Sequence, residues 1–334
     1  MLSRAAVCFS LIALAARGAD WSPRLAAQFL DSQQKEWFGW PRANAKAKPC
    51  VSCHNGVTYL LARPALRREL GQETPTEWEI GLLASLRARL DLREPADSPS
   101  LGVESVLAAR FLGTAPAYDR MWAMQVREGA SAGSWNWLAL NQDPWETTEA
   151  RYWGAALAAA SVPAKDQGRP EAKELAAWLR RERDSQPLHN RLMLLWASAA
   201  FPDVLPAPAR TAMVDEVWKK QQADGSWTMD ALGPFQPHPH APRGEGGNAY
   251  ATAFTAYVME QAGFDAANPK LARALAWLRA RQDPDCGCWQ TASMNETYEP
   301  SSIPSRFMSG AATSFAVLAL LPGKSASSSP PPAY

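Results

Sequence analysis

Hydrophobic and polar positions alternate along this chain segment by segment rather than residue by residue. Stretches that carry a charged stripe, such as P-E-A-K-E-L-A-A-W-L-R-R-E-R from Pro170 and N-P-K-L-A-R-A-L-A-W-L-R-A-R from Asn268, are each followed by a stretch almost free of charge. The uncharged partners include A-Y-A-T-A-F-T-A-Y-V-M-E from Ala249 and G-A-A-T-S-F-A-V-L-A-L-L from Gly310. A helix apolar on every side is buried, whereas one with a charged stripe faces solvent. The pattern therefore predicts outer helices beginning near Pro23, Pro75, Ala117, Pro170, Pro208 and Pro269. Inner helices are predicted near Gly56, Leu101, Thr147, Leu188, Asn248 and Ser309. Several outer segments open on proline, whose missing N–H costs little in a first helical turn. Six such pairs, at a period of roughly 50 residues, predict an all-α fold. The expected arrangement over residues 20–322 is an (α/α)6 toroid of helical hairpins, which leaves no end repeat with an exposed apolar face.

One phrase recurs at the ends of the outer helices: Gln, a polar turn with Gly, then Trp. It reads V-W-K-K-Q-Q-A-D-G-S-W at Val217–Trp227 and W-L-R-A-R-Q-D-P-D-C-G-C-W at Trp277–Trp289. Met121–Trp135 is a looser copy and Gln28–Trp37 a degenerate one. The phrase Gln221–Trp227 resembles the Gln–Trp repeat of squalene and oxidosqualene cyclases, whose toroid the protein prenyltransferase β-subunits share. The resemblance implies a structural role, with the Gln amide bonded to backbone at a neighbouring helix end and the Trp packed over the turn. It does not carry over the chemistry. The chain has no Asp-x-Asp-Asp acid and no Asp-Asp-x-x-Asp run, and no His follows Asp285–Cys286 to complete a prenyltransferase-type zinc site.

Net charge changes the picture by exclusion. Lys and Arg total 34 against 33 Asp and Glu, a balance of +1 that offers nucleic acid no electrostatic footprint. Residues 1–19 read as a signal peptide, with Arg4 followed by a short apolar run from Ala5 to Ala16 and then small residues. That predicts a periplasmic or secreted protein. No later run is long and apolar enough to span a bilayer. Residues 323–334 are rich in Ser and Pro and are expected to form a disordered tail.

The chemistry concentrates at Cys50-Val51-Ser52-Cys53-His54, a C-x-x-C-H sequence that is the attachment signature of haem c. Two thiols three residues apart reach the two vinyl groups of one porphyrin, and the adjacent imidazole of His54 then ligates the iron. The alternatives are a Cys50–Cys53 disulfide, or a structural zinc site completed by Cys286 or Cys288. Met308 is the first candidate for the sixth iron ligand, because the sixth inner helix neighbours the first hairpin in a closed ring. His189, His238 and His240 are the others, and Cys286-Gly287-Cys288 reads as a local disulfide. Polar residues gathered at one end of the inner helices (Glu104, Glu146, Glu149, Tyr152, Asn190, Asn248, Tyr250 and Thr252) include Glu146 and Glu149 as a candidate acid–base pair. The expected function is an exported haem c protein acting in electron transfer, or in redox or ligand sensing at a central cavity, with a redox partner or an apolar ligand in that cavity. The alternative is a terpenoid cyclase- or prenyltransferase-like enzyme, or an apolar-ligand-binding module, with a structural C-x-x-C-H site.

Overall fold

A computed structural model describes residues 21–44, 50–91, 98–242 and 244–321. The signal peptide and the Ser/Pro tail read from the sequence lie outside the described residues. The described chain is all-helical. Its outer helices are α1 (Pro23–Gly39), α3 (Glu77–Leu90), α5 (Ala115–Ala123), α7 (Pro170–Glu182), α9 (Ala207–Lys219) and α11 (Pro269–Arg279). They alternate with α2 (Gly56–Glu69), α4 (Pro99–Leu112), α6 (Ala150–Ala159), α8 (Leu188–Ala200), α10 (Ala249–Gln261) and α12 (Phe307–Leu320). None of these helices is long and apolar enough to cross a membrane.

Local chemistry explains the boundaries. Proline occupies the first turn of α1, α4, α5, α7, α9 and α11. Helix α3 starts after Thr76 rather than at Pro75, because Thr76 and Glu79 close a reciprocal capping box. Asn248 caps α10 and Asn268 caps α11 through their side-chain oxygens. The burial contrast follows the charge contrast. Every residue of α10 from Ala249 to Met259 is buried, as are Met308–Val317 of α12, whereas α7 buries only the stripe Ala172, Leu175, Ala176, Trp178 and Leu179.

The inner helices pack side by side. Helix α12 lies against α10 and α2, α10 against α8, α8 against α6, and α6 against α4. Aromatic side chains meet between them: Phe315 packs edge-on against Phe254 and Tyr250, and Tyr257 against Trp196. The outer layer is joined by the repeated phrase, which makes the same bonds three times. Gln125 Nε2 donates to Gly133 O at 3.1 Å and to Glu171 O, in the first turn of α7, at 3.0 Å. Gln221 Nε2 donates to Gly225 O at 2.9 Å and to Lys270 O, in the first turn of α11, at 2.8 Å. Gln282 Nε2 donates to Gly287 O at 2.8 Å and to Ser22 O, at the N-cap of α1, at 3.0 Å. Each closing Trp is fully buried, and its indole N–H donates to a carbonyl of its own outer helix or the turn following it: Trp135 to Met121, Trp227 to Val217, Trp289 to Leu278.

The glycine of the phrase is required twice over. Gly133, Gly225 and Gly287 have φ of +97°, +94° and +72°, where a side chain is disfavoured. A Cβ at these positions would also meet Glu174 O at 2.6 Å, Arg273 C at 2.7 Å and Leu25 Cβ at 2.4 Å. The neighbouring outer helix therefore approaches against bare backbone.

Candidate functional site

The C-x-x-C-H sequence forms the turn that leads into α2. Ser52 Oγ accepts from the backbone N–H of Asn55 at 3.2 Å and of Gly56 at 3.4 Å, satisfying donors at the start of the helix. Trp37 Nε1 donates to Cys50 O at 2.8 Å and ties the turn to the end of α1. Gln34 Nε2 donates to Asn55 Oδ1 at 2.5 Å from the same helix. Cys50 and Cys53 both carry thiols; Cys50 is half-buried and Cys53 buried. Burial pushes the Cys53 thiol well above its ordinary pKa, and Glu146 and Cys50 push it further the same way.

His54 lines a cavity of about 380 Å³ at one end of the helices. Phe307, the first residue of α12, covers the imidazole at a ring separation of 4.1 Å, and Trp37 meets it edge-on at 5.9 Å. Nε2 of His54 is buried without a hydrogen-bond partner among the described residues. Nδ1 stands 3.7 Å from Oε1 of Glu146. Burial lowers the His54 pKa to about 4, so the ring is neutral near pH 7, the form in which an imidazole ligates a metal. Burial also raises the Glu146 pKa.

Met308 lines the same cavity as His54, so the structure brings together the two sequence-predicted iron ligands, 254 positions apart. The remaining wall comes from Trp40 and Arg42 after α1, from the turn 140–146, and from Ser293, Asn295 and Tyr298. The turn is pinned beside the cavity. Asp143 exchanges two bonds with Asn295, its N–H donating to Oδ1 at 2.7 Å and its carbonyl accepting from Nδ2 at 2.9 Å. Asp143 Oδ2 also accepts from the N–H of Gln236 at 3.0 Å and faces His238 Nε2 at 3.3 Å.

Most of the other candidates are engaged in structure. His189 is fully buried, with Nε2 2.8 Å from Tyr250 Oη and Nδ1 3.1 Å from Asn190 Oδ1, and it does not line the cavity. His240 is exposed and its carbonyl accepts from Thr297 Oγ1 at 2.8 Å. Glu104 is ion-paired with Arg89. Tyr152 Oη donates to Leu179 O at 2.8 Å, and Thr252 Oγ1 accepts from the N–H of Trp227 at 3.0 Å. The backbone carbonyl of Glu149 accepts from Asn190 at 2.9 Å. Of the proposed acid–base pair, Glu146 lines the cavity and Glu149 does not. Cys286 and Cys288 form a disulfide, as their spacing suggests. That bond removes the fourth ligand of the zinc reading, and among the described residues no group of three or more His, Cys, Asp and Glu side chains is arranged to hold a metal ion. The sequence reading missed Phe307, Asn295 and Arg42, since an aromatic, an amide and a surface guanidinium carry no motif. The chain matches no protein-family model and no curated protein.

Proposed function

We propose that this chain is an exported, periplasmic or secreted haem c protein whose twelve helices close into an (α/α)6 toroid over residues 20–322, and that it serves electron transfer or redox and ligand sensing. The ring reading is supported by the third copy of the Gln bond, in which Gln282 joins α11 to the start of α1, and by the packing of α12 on α2. Aromatic side chains pack between inner helices, and the cavity proposed to take the ligand is the one lined by His54 and Met308.

The observation that carries the haem reading is His54, which lines a cavity that Met308 also lines and whose buried Nε2 has no partner among the described residues, on the turn that holds two thiols. An unsatisfied buried nitrogen costs about 1–3 kcal/mol, and a metal bond would recover it. Cys50 and Cys53 would hold the porphyrin and His54 the iron, with Met308 the candidate for a second protein ligand. When bound, the group supplies one-electron chemistry, with a thioether ligand favouring electron transfer. Neither thiol lines the cavity, so attachment to both requires the 50–53 turn to open. The missing acid motif leaves the cyclase-like alternative without a residue to carry its chemistry.

The test is maturation of the full chain beside a haem c attachment system, followed by intact-mass measurement and an absorption spectrum. The expected result is the mass of the processed chain plus one haem and a Soret band that survives denaturation. A bare protein mass, where a control cytochrome matures, would overturn the reading.

A further inference from the structure

The surroundings of the second nitrogen of His54 carry the site further. A neutral imidazole has one N–H to place. On Nε2 it would be a buried donor with no acceptor among the described residues, at a cost of about 1–3 kcal/mol. On Nδ1 it faces Oε1 of Glu146 at 3.7 Å, and a shift of under about 1 Å makes that a hydrogen bond.

Glu146 is placed to act as that acceptor. Its backbone is fixed on both sides, with its N–H donating to Gln142 O at 2.9 Å and its carbonyl accepting from Leu140 at 2.7 Å. Trp137 Nε1 anchors the preceding carbonyl, that of Trp145, at 2.9 Å. Trp145 in turn packs edge-on against Tyr250 of α10 at 5.4 Å. The side chain of Glu146 is mostly buried, so its position is set by the fold rather than by solvent.

We infer that Glu146 is a positioning residue for His54: it holds the proton on Nδ1, keeps the Nε2 lone pair for a metal beside the cavity, and lowers the reduction potential of iron bound there. A carboxylate that accepts from the far nitrogen of a ligating histidine fixes the tautomer and raises the basicity of the ligating nitrogen. The statement about the tautomer holds for the chain by itself; the statement about potential rests on the haem reading.

Two measurements separate them. In the full chain expressed without haem attachment and labelled with 15N-histidine, the nitrogen shifts of His54 should show Nδ1 protonated and Nε2 bare. In Glu146→Ala the proton should move toward Nε2. A wild-type ring protonated on Nε2, or a tautomer unchanged by Glu146→Ala, overturns the inference. In the haem-bearing protein, Glu146→Gln should raise the midpoint potential and Glu146→Asp should bring it back toward wild type. An unchanged potential in Glu146→Gln, in protein that carries its full haem, overturns the claim on iron. Failure of the wild-type chain to acquire haem overturns the haem reading instead, while the tautomer result still decides the role of Glu146.

Discussion

The side-chain amide of Gln282 exchanges two hydrogen bonds with the backbone of Ser22, 260 positions away: Nε2 donates to Ser22 O at 3.0 Å and Oε1 accepts from Ser22 N–H at 2.5 Å. Ser22 is also the N-cap of α1, its hydroxyl accepting from Leu25. The first helix is thus fastened by the last copy of the repeated phrase.

Removing that amide should loosen α1 selectively. Gln282→Ala and Gln221→Ala should each lower stability by about 1–3 kcal/mol, since backbone groups lose partners, as read from urea unfolding. Only Gln282→Ala should raise hydrogen exchange in α1. Unchanged exchange there would show that Gln282 does not hold the helix.

Two glycines in the left-handed region should respond differently to alanine. Gly71, at φ +63°, has open space around a Cβ, whereas Gly225, at φ +94°, has the backbone of Arg273 at 2.7 Å. Gly71→Ala should cost about 1–2 kcal/mol from backbone conformation alone. Gly225→Ala should cost a further 1–3 kcal/mol or so, because α11 must move. Equal melting temperatures would refute the close approach.

Burial pulls the His189 pKa down from 6.5 to about 4, with the Asn190 bond opposing it. Above pH 6.5 both folded and unfolded states leave His189 neutral. Between 6.5 and 4 the unfolded chain takes up a proton that the folded one refuses, so stability falls as the pH falls, by at most about 1.4 kcal/mol per pH unit. Glu260, raised by burial from 4.5 to about 8, acts in the opposite sense from pH 8 down to 4.5 and so overlaps most of that window. The comparison is therefore wild type against His189→Gln, whose unfolding free energy should fall less steeply with acid. Parallel pH profiles would count against a neutral buried His189.

Met308→Leu conserves volume and should cost under about 1.5 kcal/mol. In haem-bearing protein it should nevertheless convert a low-spin spectrum toward high spin and lower the potential. A spectrum and a potential equal to wild type would leave Met308 a core residue.

Cys286-Gly287-Cys288 stands where the previous phrase has Asp224-Gly225-Ser226, and in that copy Asp224 Oδ1 accepts from both the N–H and the hydroxyl of Ser226. The disulfide replaces a hydrogen-bonded turn. The double substitution Cys286→Asp, Cys288→Ser should therefore fold, with a stability loss within about 1–2 kcal/mol, since the closed loop is short. Failure to fold would show that the covalent link is indispensable.

The helices were legible because each carries its own contrast of charge and burial, and Pro170 and Pro269 mark their starts directly. Boundaries slipped where side chains decide: Thr76 and Glu79 move the start of α3 to Glu77, and the pinned turn 140–146 delays α6 to Ala150. That His54 and Met308 line one cavity was legible from the neighbourhood of first and last hairpins. The environment of His189 was not, because Tyr250, its partner, lies 61 positions away on another helix. Glu146 was one of many polar residues near helix ends until folding set it against His54.

The packing of α2 against α12 has a consequence for the order in which the molecule assembles. Synthesis delivers the N-terminal end first, yet α12, whose Phe307 covers His54, is the last of the described helices to arrive. Contacts of such long sequence separation form late, since they require a large loop to close. Until then the turn from Cys50 to His54 is uncovered on the side that Phe307 will occupy. Phe307 thus completes, from 253 positions away, the packing around a ring delivered long before it.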